Sequence, residues 1–198
     1  MRVLGIDPGN KITGYGVVER IDSRLVPVAF GVIKNPTDSN SANRFRRIYE
    51  GIAQVVKNYR PDAVACETLF FCKNVKSAIR LGEARGVAVA AATAGLGEYY
   101  EYSPRSVKQA VVGFGGAQKD QVKRMIRRLL GINAADLTED AADALAVAIC
   151  HVNSVRRPVI LQDGNVPGTT KPLIMGAPSP FFGTRYIPAR YTSRGNAG

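Results

Sequence analysis

Four carboxylates stand at positions from which acids do chemistry. Asp7 ends a short apolar run, Val3-Leu4-Gly5-Ile6, and is followed at once by Pro8-Gly9. Pro and Gly stop a strand and turn the chain, so the spacing places Asp7 at a strand tip facing a cleft. Asp is also a common turn starter, and by itself the stretch fits that plainer role equally well. Glu67 repeats the grammar after Ala63-Val64-Ala65-Cys66. Asp140 and Asp143 lie three apart on a helical stretch, which puts them on one face with Cβ atoms roughly 5–6 Å apart. Asp140, near the helix start, would also complement the helix dipole. Asp143 lies on a helix apolar nearly all round, where an ionised carboxylate is costly unless something positive meets it. If the strand tips converge under that helix, four acids would repel one another and raise their pKa values unless cations neutralise them. All-oxygen donors select hard ions, Mg2+ or Mn2+. In a basic chain such an acidic pocket points to metal-assisted phosphodiester hydrolysis, with two ions roughly 4 Å apart.

Other chemistries have little material. His151 is the single histidine, so a Ser-His-Asp arrangement or a His-based zinc site has little material. It projects near the carboxylate face, either supporting the acids from behind or standing partly exposed at a helix end. Cys66, Cys72 and Cys150 show no C-x-x-C spacing and read as small buried thiols in a reducing, cytoplasmic setting.

The elements that must position these residues follow from periodicity and turn signals. Residues 2–7, 13–21 and 25–33 read as three strands with short connections, hence antiparallel neighbours. Gly14 and Gly16 leave room above the second. Helical spacing runs over 39–57, then 63–66 is a strand ending in Glu67. Leu69, Phe70, Phe71 and Cys72 form an apolar patch where a loop should be, and Lys73-Asn74 leads into a helix over 75–94 rich in Ala and Gly. Both Phe rings would fold inward in the plain reading; one left exposed beside the cleft would be a stacking platform for a base. The helix is apolar over more than one face, which serves packing on its own sheet or self-association. A fifth strand is predicted at 98–102, then helices at 106–112, 118–130 and 138–153. The helix over 118–130 carries Lys119, Lys123, Arg124, Arg127 and Arg128 against the single acid Asp120, a phosphate-facing surface.

The chain has 198 residues, 27 Lys+Arg against 16 Asp+Glu and a formal charge of +11. That balance favours a polyanionic partner, nucleic acid or an anionic membrane surface. No apolar run approaches the roughly 20 residues a spanning helix needs, and Asp7 interrupts any N-terminal signal segment. From residue 154 the composition turns to Pro, Gly and cations with Asp163 as the lone acid, predicting a disordered basic tail (154–198) after one domain over 1–153. Phe181, Phe182, Tyr186 and Tyr191 give that tail stickiness for bases or a partner.

Together these residues resemble the RuvC Holliday-junction resolvases. The likeness is carried by Asp7-Pro8-Gly9 with Thr13-Gly14-Tyr15-Gly16, by Glu67-Thr68-Leu69-Phe70 to Lys73-Asn74, and by Leu81-Gly82-Glu83-Ala84-Arg85-Gly86. Val107-Lys108-Gln109 with Val111-Val112-Gly113, and Asp140-Ala141-Ala142-Asp143-Ala144-Leu145-Ala146, complete it. The resemblance spans about residues 1–153. It implies an RNase H-like α/β fold, a five-stranded mixed sheet flanked by helices. It implies a homodimer that nicks two opposed strands of a four-way DNA junction, with Asp7, Glu67, Asp140 and Asp143 as catalytic Mg2+ ligands. Phe70 would stack on a base near the junction centre, and Lys108 and Lys119 would contact phosphate near the scissile bond. Lys73, on the loop with Phe70, and Lys123, on the basic helix, are assigned to DNA as well. Some relatives carry His where Asp140 stands; here the all-carboxylate version is present. RuvA and RuvB, the branch-migration proteins, are the implied partners.

Two rival readings remain. Gly5-Ile6-Asp7-Pro8-Gly9 also resembles the first phosphate loop of actin-like ATPases and sugar kinases, which ATP turnover would reveal, although the chain is short for their duplicated domain. A non-catalytic junction binder on the same fold would lack metal-dependent nicking, and would have no need of all four acids.

Overall fold

The computed structural model describes residues 1–35, 40–68, 74–94 and 98–155. Its strands are β1 (Arg2–Asp7), β2 (Ile12–Ile21), β3 (Arg24–Lys34), β4 (Ala63–Glu67) and β5 (Tyr99–Tyr102). Its helices are α1 (Ser41–Tyr59), α2 (Val75–Thr93), α3 (Pro104–Val112), α4 (Lys119–Leu130) and α5 (Glu139–Ser154). The strands form one mixed sheet in the order β3-β2-β1-β4-β5. The short turns make β1–β2 and β2–β3 antiparallel, while the helical crossovers make β1–β4 and β4–β5 parallel. The expected five-stranded mixed sheet flanked by helices is what the chain forms. Pro27, which cannot donate to a ladder, is accommodated on the edge strand β3 beside the register shift at Val17/Val18.

Strand alternation divides the core between two faces. Leu4, Ile6, Val17, Val64 and Cys66 pack with Ile48, Ile52 and Val55 of α1 and with Ala84, Ala88, Ala91 and Ala92 of α2. Val3, Val18 and Ala65 face the other way, onto α3, α4 and the buried face of α5. Cys66 and Cys150 are buried as expected, and burial pushes their thiols up to about 12 and about 11. Cys72 lies outside the described residues.

Helix starts follow side-chain capping. Asn74 accepts from the backbone of Lys76 and Ser77 and opens α2, and Thr138 accepts from Ala141 N and opens α5. α3 begins two residues before the spacing predicts, because Ser103 caps Ser106 N at 3.1 Å with Pro104 as the first helical residue. A 3-10 turn at Ala134–Asp136, too short for any periodicity to reveal, precedes α5.

α2 packs on its own sheet through Ala84, Ala88, Ala91 and Ala92, the first of the two roles its composition allows. One face packs on the sheet, while Val75 and Ile79 on the other are 74% and 58% exposed. No atom lies within 4 Å of where a β-carbon on Gly82 or Gly86 would stand. Among the described residues no helix is long and apolar enough to cross a membrane. α5 runs to Ser154, and the tail predicted over 154–198 otherwise lies almost wholly outside the described residues.

Candidate active site

The site begins with register. β1 and β4 are parallel neighbours with Ile6 opposite Cys66, so Asp7 and Glu67, the next residue of each, end side by side at the strand tips. Both follow the alternation of Val3 and Ala65 and face α5. The turn after Asp7 is tied by Thr13, whose Oγ1 donates to the Gly9 carbonyl at 3.2 Å.

α5 is brought down on these tips by missing side chains. A β-carbon on Gly5 would stand 2.0 Å from the Ala144 carbonyl oxygen, and one on Gly14 2.0 Å from that of Asp140. Gly14 is the register partner of Asp7, so the approach sets the start of α5, with Asp140 in its first turn, over the Asp7 tip. Asp143 follows one turn later. Its side chain is 37% exposed, so the expectation of a carboxylate buried on an apolar helix is corrected: it sits at the open rim, because α5 buries its other faces. The required positive partner is present, for Lys119 Nζ donates to Asp143 Oδ2 at 3.1 Å.

Electrostatics identify one shared cleft. Burial first, then the charges of Asp143, Asp140 and Glu67, push Asp7 from 3.8 up to about 7, against a lowering by Lys119. Glu67 is raised by burial and then by Asp143, with Lys119, Lys108 and Arg85 opposing. The Asp143 charge and hydrogen bond hold Lys119 above its ordinary value. The four predicted acids, Lys119 and Lys108 are therefore brought together. Lys123 lies one turn beyond Lys119 on α4 and is half-buried. Phe70 and Lys73 lie outside the described residues.

The donor set suits a hard divalent cation: only carboxylate oxygens, from two strand tips and one helix, with a mutual repulsion that a cation would relieve. Among the described residues no three acids close into a ready-made cage, so the acids share the cleft without enclosing an ion.

His151 fits neither sequence alternative. It is 1% exposed, its Nδ1 is 2.7 Å from the Tyr102 hydroxyl, and its ring lies 4.3 Å from that of Tyr100. Burial holds its pKa below the ordinary value; Glu98, and none of the four acids, acts against this.

Sequence reasoning missed a residue behind Glu67. Arg85 of α2 is buried, and its Nη1 donates to the Glu67 carbonyl oxygen. The signal was a guanidinium placed among the small residues of a sheet-packing helix face, where a charge needs a partner.

The family model described as "Crossover junction endodeoxyribonuclease RuvC" matches residues 3–151. The curated protein of that name from Geobacter sulfurreducens is 52% identical over 156 residues, covering 78% of this chain and 93% of its own. The solved structure of "T. thermophilus RuvC in complex with Holliday junction substrate" superposes with a TM-score of 0.72 at 35% identity, over 78% of this chain and 94% of that one. A yeast mitochondrial Holliday junction resolvase shares the fold, with a TM-score of 0.56 at 16% identity over 76% and 78% of the two chains.

Proposed function

The chain belongs to the RuvC family of crossover junction endodeoxyribonucleases, and on that premise we propose that it resolves four-way DNA (Holliday) junctions in recombination and repair. The reaction would be paired, Mg2+-dependent phosphodiester hydrolysis on two opposed strands. The observation that carries this reading is the convergence of Asp7 and Glu67 beneath Asp140 and Asp143, with Lys119 bonded to the last. The direct test is nicking of four-way junctions beside linear duplex, with and without Mg2+; equal cutting of both substrates, or none of the junction, would sink it.

Asp7, Glu67, Asp140 and Asp143 are the residues that would hold the metal, Mg2+ with Mn2+ able to substitute, two ions per site. When bound, the ions supply the positive charge that activates water and stabilises the leaving oxygen. The rest belongs to the chain. Lys119 and Lys108, whose charges act on Glu67, would draw the scissile phosphate in. Lys123 extends that surface along α4, and Lys73, six residues past Glu67 in sequence, would add to it. Phosphate contacts of this kind dominate affinity, so the acids are free to serve the reaction.

Phe70, three residues past Glu67, has the reach to replace a base's lost stacking at the junction centre, worth roughly 1–3 kcal/mol. Phe70→Ala is expected to slow cleavage by about 5–160-fold while lowering binding less. Phe70→Tyr should retain activity where Phe70→Leu does not; wild-type cleavage by Phe70→Ala would remove the stacking role.

Two opposed cuts call for two sites. The outward face of α2, with Val75, Ile79, Gly82 and Gly86, supports a homodimer. Ile79→Glu is expected to shift sedimentation from dimer to monomer at micromolar concentration. An unchanged sedimentation coefficient would remove this face as the interface, and a wild-type monomer both free and on a junction would remove the dimer. A cytoplasmic enzyme working with RuvA and RuvB, its nuclease domain in residues 1–153 and residues 154–198 a separate basic tail, completes the reading.

A further inference from the structure

We propose that Arg85 is a positioning residue for Glu67. It sets from behind the sheet the direction in which the Glu67 carboxylate meets the metal, a reading that rests on Glu67 being a ligand. Three acceptors converge on one guanidinium. Nη1 takes the Glu67 carbonyl oxygen, and Nη2 takes both the Tyr99 hydroxyl oxygen at 2.6 Å and Glu101 Oε1 at 2.6 Å. The Tyr99 hydroxyl donates onward to Glu101 Oε1 at 2.7 Å, which fixes the far end of the network. Arg85 is 9% exposed while Glu101 opens to solvent, so the guanidinium is held from a buried position, and each of its bonds is charge-assisted.

The location gives the network its consequence. Glu67 is the last residue of β4, and beyond it Thr68 N bonds to Tyr102 O before the chain leaves the sheet. A strand tip has few ladder bonds to hold its final peptide. The Thr68 N–H ties one edge of that peptide to β5, and Arg85 ties the other, at the carbonyl of the residue whose side chain points to the opposite face. Holding that peptide plane holds the Cα–Cβ direction, and with it the carboxylate. Arg85 touches neither metal nor DNA; it acts through Glu67. Lysine cannot replace it, because a single ammonium lacks the planar fork that reaches β4 and β5 together.

The test titrates Mn2+ into DNA-free wild type, Arg85→Lys, Arg85→Gln and Glu67→Gln, reading bound metal by electron paramagnetic resonance. Single-turnover junction cleavage is followed over the same metal range. Arg85→Lys is expected to weaken Mn2+ binding by about tenfold, within the range found for groups that orient metal ligands. Its cleavage should fall in parallel at low metal and recover at saturating Mn2+, with junction binding in EDTA and sedimentation within about twofold of wild type on the same reasoning. A merely structural role would move the melting curve and leave the metal titration unshifted. Arg85→Lys with wild-type Mn2+ binding and cleavage overturns the proposal, and decides it even where Arg85→Gln does not fold. Glu67→Gln separates the premise: wild-type Mn2+ binding in that variant overturns Glu67 as a ligand and the role of Arg85 with it. Weakened binding there beside a wild-type Arg85→Lys overturns Arg85 alone.

Discussion

Asp7→Asn and Asp143→Asn are each expected to reduce junction nicking by at least about a thousandfold, ~4 kcal/mol of transition-state stabilisation, while junction binding in EDTA stays near wild type. An amide keeps the shape of the carboxylate but not the charge that holds a hard cation. The acids repel DNA, whereas cations such as Lys119 and Lys108 attract it, so binding survives. Either variant nicking at the wild-type rate in Mg2+ would dismantle the four-carboxylate site. The Asp7 variant carries a second signature. In the metal-free protein, burial and then the neighbouring acids push the Asp7 carboxyl from 3.8 up to about 7. Between those values the unfolded chain holds fewer protons than the folded one, so this group's contribution to stability is fully present below 3.8 and is lost as pH rises through about 7. Asn removes that dependence. Without metal, Asp7→Asn should match wild type near pH 4 and be more stable at pH 8 by about 1–3 kcal/mol, solvent screening included. Melting curves at the two pH values check this, and a less stable variant at pH 8 would contradict the crowding of charge at Asp7.

Gly5→Ala, a single added methyl, is expected to destabilise the fold by about 3 kcal/mol or more, a fall in melting temperature of about 6–12 °C. The new β-carbon would meet the Ala144 carbonyl oxygen at 2.0 Å and the Ala148 amide nitrogen at 2.8 Å. Both are backbone atoms of α5, so no side chain can rotate away and the helix itself must lift. Lifting it carries Asp140 and Asp143 away from Asp7 and Glu67, and nicking should fall even at temperatures where the variant is folded. Calorimetry and a cleavage assay on the same preparation test both parts. Wild-type melting would mean that α5 does not rest on β1 as closely as this structure has it.

The contrast between Asp7 and Gly5 marks where sequence reading succeeds. The strand over 2–7 ending in an acid, the matching strand ending in Glu67 and the helical pair Asp140 and Asp143 were legible because each is local. Apolar runs, breakers and three-residue spacing are properties of neighbouring residues. The same holds for α2, whose small and apolar residues announced a face packed on the sheet. Family resemblance added to the assignment of the acids to one metal site, singled out Phe70 as the stacking ring, and alone implied the role of Lys108.

What the chain order could not supply is distance between elements. That Gly14 lies under the Asp140 carbonyl, that Lys119 is the cation meeting Asp143, and that Asp143 sits at an open rim depend on how α4 and α5 settle on the sheet. His151 shows the same limit, since its place on the helix gave no sign of Tyr100 and Tyr102, brought against it from β5. Arg85 is the sharpest case. Its bonds to Glu67, Tyr99 and Glu101 span 14 to 18 residues of sequence, and they arise because parallel β4 and β5 present their ends to one face of α2. Periodicity assigns a residue to a face, but close packing of backbone on backbone decides which partner that face meets.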